Sequence, residues 1–273
     1  MLPASISKRR SRRTQPLTTH NIPRGRAVLD PFSVWHNKHN WSVFMIYLTG
    51  DTHGSFERIK HFCSFSKVTK DDVLIILGDA GINYYPGTNR NLKNLLNKLP
   101  ITLLCIHGNH ERRPESIGSY EETKWRNGAA YWEPDFPGLI FAKDGEIYDL
   151  DGKQCMAIGG AYSVDKYYRL QRSLPWWPDE QPSDETKQLV EAKLETNNWS
   201  IDAMLAHTCP IKYIPREAFL PGIPQDTVDS STEQWLDTID EKLNYHRWYC
   251  GHFHISKFDR KVQFLFNDII KLQ

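Results

Sequence analysis

Five apolar runs in this chain each end in a short polar signature, and this recurrence restricts the possible folds more than any other feature. The signatures are Gly50-Asp51-Thr52-His53-Gly54, Gly78-Asp79, Gly108-Asn109-His110-Glu111, His207 and Gly251-His252-Phe253-His254. Short apolar runs bounded by such turns are typical of buried strands. Parallel strands have their carboxyl ends at one edge of a sheet, where open α/β folds bind ligands. We therefore expect the five signatures to converge.

The order of elements predicts an α/β fold. Buried strands are expected over Val43–Leu48, Val73–Leu77 and Ile101–Ile106. A helix that Ser55 caps and that ends near Phe65 is expected between the first two strands, and a second helix over Asn89–Leu99 between the last two. This β-α-β-α-β order implies a parallel sheet with helices on its faces.

The second half of the chain predicts a second sheet. Further strands are expected over Leu139–Ala142, Glu146–Asp149, Gln154–Ile158, Ile201–Ala206, Trp248–Cys250 and Val262–Phe266, and further helices over Asp184–Thr196 and Thr232–Asn244. The Asp151-Gly152 step indicates a hairpin, whereas residues 159–182 are expected to form a loop. The whole pattern favours two packed sheets flanked by helices.

Residues 1–44 differ in composition from the rest. They carry eight basic side chains and one acid, a net charge of +7, against 26 basic and 32 acidic side chains and a net −6 in residues 45–273. Because this segment has no helical or strand period, we expect it to be disordered. It is interpreted as an organelle transit peptide, a nucleic-acid-binding arm or sequence upstream of the true start at Met45. We favour the last, which leaves residues 45–273 as one domain.

The sequence also predicts a cytoplasmic protein without a membrane span. No run approaches the ~18 apolar residues that a spanning helix needs, and no apolar segment follows the basic cluster as in a secretory signal. The five cysteines form no C-x-x-C pair. We interpret them as free thiols of a reducing compartment, including Cys209 and Cys250, which are expected to pack as small apolar groups.

The side chains in the signatures suit a pair of metal ions. Aspartate, histidine and an asparagine carbonyl form a mixed oxygen and nitrogen set, which fits Mn, Fe, Zn or Co and excludes a thiolate zinc site. A bridging carboxylate holds two such ions about 3.5–4 Å apart. Two ions so placed convert a bridging water to hydroxide and neutralise phosphoryl oxygens during in-line attack. Manganese is the metal we expect to support activity in vitro.

The five signatures, in this order and over about residues 45–254, resemble the calcineurin-like metallophosphoesterase superfamily. The resemblance implies a four-layer fold, a two-sheet β-sandwich flanked by helices. It implies that Asp51, His53 and His254 hold the first metal, Asn109, His207 and His252 hold the second, and Asp79 bridges both. It further implies that His110 binds no metal and instead protonates the leaving group or steadies the phosphate.

The signatures are mixed in what they imply about substrate. In the phosphoprotein phosphatase branch an Asp-Arg-Gly follows the second motif, but Asp79 is followed by Ala80-Gly81-Ile82. The Gly-Asn-His-Glu motif resembles that branch, whereas the closing Gly-His-x-His resembles phosphodiesterases and nucleases. A phosphomonoesterase, including one acting on phosphoproteins, is favoured. A nucleotide phosphodiesterase or nuclease is the alternative, and a nucleic-acid-binding protein with a vestigial esterase domain is the non-enzyme hypothesis.

Candidate substrate contacts follow from charge and position. Arg112 or Arg113, directly after the third signature, could clamp a phosphate with a planar guanidinium, although a solvated pair is equally consistent with the sequence. Arg169 lies in a stretch rich in aromatic and basic residues and is expected to contact substrate at the rim. Trp176 and Trp177 in the same stretch are expected to pack together. Glu111 is expected to orient a histidine.

Overall fold

A computed structural model of the protein describes residues 44–85, 89–219 and 227–273. The predicted extension over residues 1–44 lies outside this range except for Phe44. The described strands are β1 (Ile46–Thr49), β2 (Val73–Ile76), β3 (Thr102–Cys105), β4 (Glu121–Trp125), β5 (Gly128–Trp132), β6 (Leu139–Ala142), β7 (Ile147–Leu150), β8 (Lys153–Ile158), β9 (Ala203–Ala206), β10 (Arg247–Cys250), β11 (Lys257–Asp259), β12 (Val262–Phe264) and β13 (Ile270–Lys271). The described helices are α1 (Glu57–Phe65), α2 (Arg90–Asn97), α3 (Lys166–Gln171), α4 (Asp184–Thr196) and α5 (Ser231–Lys242).

The strands form two mixed sheets. The seven-stranded sheet has the order β13-β1-β2-β3-β6-β5-β4, and the six-stranded sheet has the order β11-β12-β10-β9-β8-β7. Strands β1, β2, β3 and β6 are parallel, as are β12, β10, β9 and β8, and antiparallel strands lie at both edges of each sheet. The five signatures therefore follow parallel central strands of both sheets.

The alternation of side chains along the strands produces four layers. Ile75 of β2 and Leu205 of β9 belong to the core between the sheets. Their neighbours point outward: Leu74 contacts the cluster that includes Ile59 of α1 and Leu96 of α2, and Met204 contacts the cluster of α4 and α5. Because successive strand residues face opposite sides, each central strand packs on the other sheet and on a helical layer. The predicted two-sheet fold flanked by helices is confirmed.

The hairpin between β7 and β8 confirms the Asp-Gly prediction. Asp151 and Gly152 have φ values of 59° and 77°, and the strands pair with Leu150 opposite Lys153. A two-residue hairpin turn with positive φ at both residues is a type I′ turn, whose twist matches that of the flanking strands.

Three local predictions were wrong or incomplete. Ser55 does not cap α1: the helix begins at Glu57 without a side-chain cap, and the Ser55 N–H donates to the Thr52 carbonyl instead. Residues 159–182 contain the short helix α3. The β4–β5 hairpin was not predicted, because β4 is mostly exposed and lacks apolar alternation. Within the described ranges no helix is long and apolar enough to cross a membrane.

Candidate metal centre

The backbone of the candidate ligands is unusual. His53, Asp79, His252 and His254 all have left-handed conformations, with φ between 46° and 63°. Few non-glycine residues adopt this region, and such strain concentrates at functional sites because the surrounding fold must maintain it. The strand-end turns therefore hold these side chains in orientations that ordinary turns do not provide.

Two glycines allow the turns to approach each other. A Cβ atom at Gly108 would lie 2.0 Å from Asp79 Oδ1, and one at Gly251 would lie 2.1 Å from Asp51 Oδ1. Both distances are far below van der Waals contact. Glycine at these positions thus leaves room for the carboxylate of another strand-end loop.

The first group of candidate ligands is Asp51, His53 and His254. Asp51 Oδ2 lies 3.2 Å from His254 Nε2 and 3.7 Å from His53 Nε2, and the two Nε2 atoms are 2.9 Å apart. Burial tends to raise the pKa of Asp51, but the hydrogen bond from His254 and the charges of His207 and His254 lower it to about 2. The hydrogen bond with Asp51 raises the pKa of His254.

The second group is Asn109, His207 and His252. Asn109 Oδ1 lies 2.8 Å from His207 Nε2 and 3.2 Å from His252 Nδ1. His207 Nδ1 lies 2.8 Å from the Leu77 carbonyl, to which it donates, so the Nε2 lone pair is available to a cation. Burial and the nearby His207 lower the pKa of His252 well below its usual value, which keeps that imidazole neutral as a metal ligand must be.

Asp79 lies between the two groups. Its Oδ2 is 3.7 Å from His207 Nε2 and 4.0 Å from His53 Nδ1, while Oδ1 accepts the His110 backbone N–H at 2.7 Å. The ligand atoms of Asp51, Asp79 and His207 all lie within 4.8 Å of one another. All seven candidate ligands therefore meet at one place, with the carboxylate predicted to bridge at the centre.

The chemistry of this cluster fits divalent cations. Asp51 and Asp79 are each 1% exposed, and burying two carboxylates is costly unless positive charge compensates them. The Nε2 atoms of His53 and His254 are 2.9 Å apart, and the ligand atoms of Asp51, His53 and His254 all lie within 4.8 Å of one another, close enough to share one cation. Cys209 and Cys250 are buried in the apolar core of the six-stranded sheet, outside both ligand groups.

His110 lies beside the cluster without joining either ligand group. Its ring centroid is 5.9 Å from that of His53, and its Nε2 is 4.0 Å from Asp165 Oδ1. Burial lowers the pKa of His110, the charge of Asp79 opposes this shift and Arg169 adds to it. The side chain remains 19% exposed, so it can reach a bound substrate.

The three candidate arginines have different surroundings. Arg113 is buried and donates to Asp144 Oδ2 at 2.7 Å and to the Asp179 carbonyl at 2.8 Å, so the structure does not bring it to the cluster. Arg112 donates to the Ser116 carbonyl at 2.9 Å and lines an open groove of about 450 Å³ with residues 173–177. Arg169 lies close enough to His110 for its charge to lower the pKa of that histidine.

Two residues that support the ligand loops were not predicted. Arg58 of α1 donates through Nη2 to the carbonyls of Gly50 and Asp51 at 2.7 and 2.6 Å. Ser163 Oγ accepts from Asn109 Nδ2 at 2.9 Å, which turns the amide oxygen of Asn109 toward the histidines. An arginine in a helix and a serine in a loop are too common for either to have been recognised from sequence.

Glu111 has a different role from the one predicted. Its Oε1 accepts the backbone N–H groups of Ala80 and Gly108, each at 3.3 Å, so it joins the loops after β2 and β3 and does not orient a histidine. Burial, reinforced by the charge of Asp79, raises the pKa of Glu111 to about 8.

Comparison with known proteins gives the class of this one. The sequence profile of the calcineurin-like phosphoesterases matches residues 44–256. The protein is therefore a metal-dependent phosphoester hydrolase. It belongs to the calcineurin-like phosphoesterase family.

Similarity to solved structures is remote. Phosphopantetheinyl hydrolase from Mycobacterium tuberculosis is 14% identical with a TM-score of 0.40, over 81% of this chain and 87% of that one. A protein of unknown function from Aquifex aeolicus is 16% identical with a TM-score of 0.29, over 60% of this chain and 80% of that one. No curated protein matches the chain.

Proposed function

We propose that this protein is a binuclear phosphomonoesterase, with phosphoserine and phosphothreonine among the candidate substrates. Asp51, His53 and His254 would hold one cation, and Asn109, His207 and His252 the other. The observation that carries this proposal is the central position of Asp79, whose Oδ2 lies 3.7 Å from His207 and 4.0 Å from His53, one member of each group. A carboxylate so placed is what a pair of cations requires.

Two divalent cations, when bound, acidify a water molecule and neutralise charge on the phosphoryl oxygens. The side chains around them have separate tasks. Asp79 is fixed through Oδ1 by the His110 backbone N–H, which leaves Oδ2 to face both ligand groups. His110 would donate a proton to the leaving-group oxygen, since its ring lies beside the ligand groups and keeps access to solvent.

A diester or nucleotide substrate is the second candidate, and the groove beside Arg112 favours it. Trp176 and Trp177 line this groove together with the Arg112 side chain. Tyr84 packs edge-on against Trp177 with ring centroids 5.6 Å apart. Aromatic faces next to a guanidinium can stack a base and hold a phosphate.

The test is hydrolysis of p-nitrophenyl phosphate and of bis-p-nitrophenyl phosphate by metal-stripped protein titrated with manganese. We expect manganese-dependent turnover with a preference for the monoester, followed by activity on phosphopeptides. Preference for the diester would replace the monoester proposal with the nucleotide one. Failure to bind manganese would contradict the binuclear centre itself.

A matched pair of variants separates specific from general effects in this assay. Asp79→Asn should abolish turnover, because it removes the charge between the two groups. Asp135→Asn should not, because its carboxylate is 62% exposed and pairs with Arg90, outside the ligand groups. Equal loss in both variants would count against the assigned role of Asp79.

A further inference from the structure

Asp165 stands at the N-terminus of α3 but does not cap it. An aspartate in the N-cap position normally accepts a hydrogen bond from a backbone N–H of the first turn. The Asp165 side chain makes no such bond. The carboxylate instead pairs with the Arg169 side chain, one turn along the same helix, and its other oxygen faces His110.

One oxygen of this carboxylate is held firmly. Asp165 Oδ2 accepts from Arg169 Nε at 2.8 Å. Arg169 is fixed in turn, because its Nη1 donates to the Tyr84 hydroxyl at 3.2 Å and to the Pro175 carbonyl at 3.3 Å. The arginine side chain is 14% exposed. The position of the carboxylate therefore does not depend on a single surface ion pair.

The other oxygen is buried and available. No described residue donates a hydrogen bond to Asp165 Oδ1, and a buried carboxylate oxygen rarely stays without a donor. The Nε2 atom of His110 lies 4.0 Å from this oxygen. This distance is too long for a hydrogen bond, but contacts of catalytic groups often tighten only when substrate binds.

We infer that Asp165 is a positioning residue for His110. It would accept the Nε2–H of His110 once substrate is bound, which fixes the ring plane and leaves the other ring nitrogen to donate the proton to the leaving group. This inference rests on the proposed role of His110 as general acid. Arg169 then holds Asp165 in place, a role different from the substrate contact predicted from sequence.

A purely structural role is the competing explanation. Asp165 and Arg169 form an (i, i+4) pair along α3, and such pairs support helices without any part in chemistry. The two explanations differ in how the loss depends on the leaving group. A residue that acts through the general acid matters most when the leaving oxygen is a strong base, whereas a loosened α3 affects every substrate alike.

The experiment compares Asp165→Asn, His110→Asn and the double variant in full-length manganese-loaded protein. Turnover is measured with phenyl phosphate, whose leaving group needs a proton, and with p-nitrophenyl phosphate, whose leaving group needs little. Bound manganese is measured in each variant. Asp184→Asn is the control, because its carboxylate is 88% exposed at the start of α4 and outside the contacts of His110.

We expect Asp165→Asn to keep its manganese and to lower kcat on phenyl phosphate by about 10–100-fold, the range seen when the hydrogen-bond partner of a metal-bound histidine is removed. The loss on p-nitrophenyl phosphate should be smaller. In the His110→Asn background the same substitution should cause no further loss, since residues acting as a unit are not additive. Asp184→Asn should match the wild type.

Two results would overturn the inference alone. One is an equal loss with both esters, and the other is an equal loss in the wild-type and His110→Asn backgrounds. Either result would be compatible with the proposed phosphoesterase function, but it would mean that Asp165 only stabilises α3. A wild-type protein that binds manganese yet hydrolyses neither ester would instead overturn the proposed function, and the role of Asp165 with it.

Discussion

Asp51 accepts a hydrogen bond from the backbone N–H of His252 at 2.9 Å, although the two residues are 201 positions apart in the chain. Asp51 follows β1 of the seven-stranded sheet and His252 follows β10 of the six-stranded sheet, so this contact joins the two sheets at the candidate metal centre. The bond occupies Oδ1 and leaves Oδ2 facing His53 and His254. Asp79 is held in the same way: its Oδ1 accepts the backbone N–H of His110, and its Oδ2 faces the candidate ligands. The fold thus orients both carboxylates before any cation binds.

The proposed bridging role of Asp79 leads to the first prediction. Asp79→Asn keeps the size of the side chain and removes its charge, so both candidate sites lose their shared ligand. We expect the variant to bind fewer than two manganese ions per chain after equilibration with excess metal, measured by elemental analysis. Two ions bound as in the wild type would contradict the bridge. Asp135→Asn, with its exposed carboxylate, is the control and should bind two.

The position of His110 leads to the second prediction. His110→Asn should retain both manganese ions, because the ring lies outside the two ligand groups. We expect turnover of phenyl phosphate to fall by about 10²–10⁴-fold, the usual contribution of a general acid. A smaller fall is expected with p-nitrophenyl phosphate, whose leaving group needs little protonation. An unchanged rate with phenyl phosphate would show that another group donates the proton.

The candidate ligand set could be proposed from sequence because each part of it is local. Asp79 and His252 directly follow glycines at the ends of apolar runs, and such a run indicates the strand, its direction and where it ends. Parallel pairing then brings the ends together without further information. That two sheets contribute to one centre was implied only by the family resemblance, since no local pattern indicates how one sheet packs on another.

What the sequence could not indicate depends on tertiary contacts. Arg112 and Arg113 are adjacent and chemically identical, yet one lines a groove and the other is buried against Asp144. Asp165 was part of a segment expected to be a loop. Its approach to His110 is a contact between residues far apart in the chain, and apolar periodicity does not predict such contacts.

The close approach at Gly108 leads to the third prediction. A Cβ there would lie 2.0 Å from Asp79 Oδ1 and 2.1 Å from the Asp79 backbone nitrogen, so the loops after β2 and β3 would have to separate. We expect Gly108→Ala to lose manganese affinity and about 1–3 kcal/mol of unfolding free energy, as overpacked sites do. Gly118→Ala is the matched control, because nothing lies within 4 Å of its Cβ position. Equal stability and metal binding in the two variants would contradict this account of the loops.

The buried pair of Arg113 and Asp144 leads to the last prediction, which separates the two arginines that sequence could not. The Arg113 and Asp144 side chains are 10% and 9% exposed, and Asp144 Oδ1 also accepts the Gly159 N–H at 2.7 Å. Removing one partner of a buried pair leaves the other charge uncompensated and costs about 3–5 kcal/mol. We expect Arg113→Met to lose stability of this order in urea unfolding, with KM unchanged in the fraction that remains folded. Arg112→Met should have the opposite profile, with stability kept and KM raised, because its guanidinium borders the open groove. If Arg113→Met instead raised KM without losing stability, the result would support the sequence-based prediction that Arg113 binds the substrate phosphate.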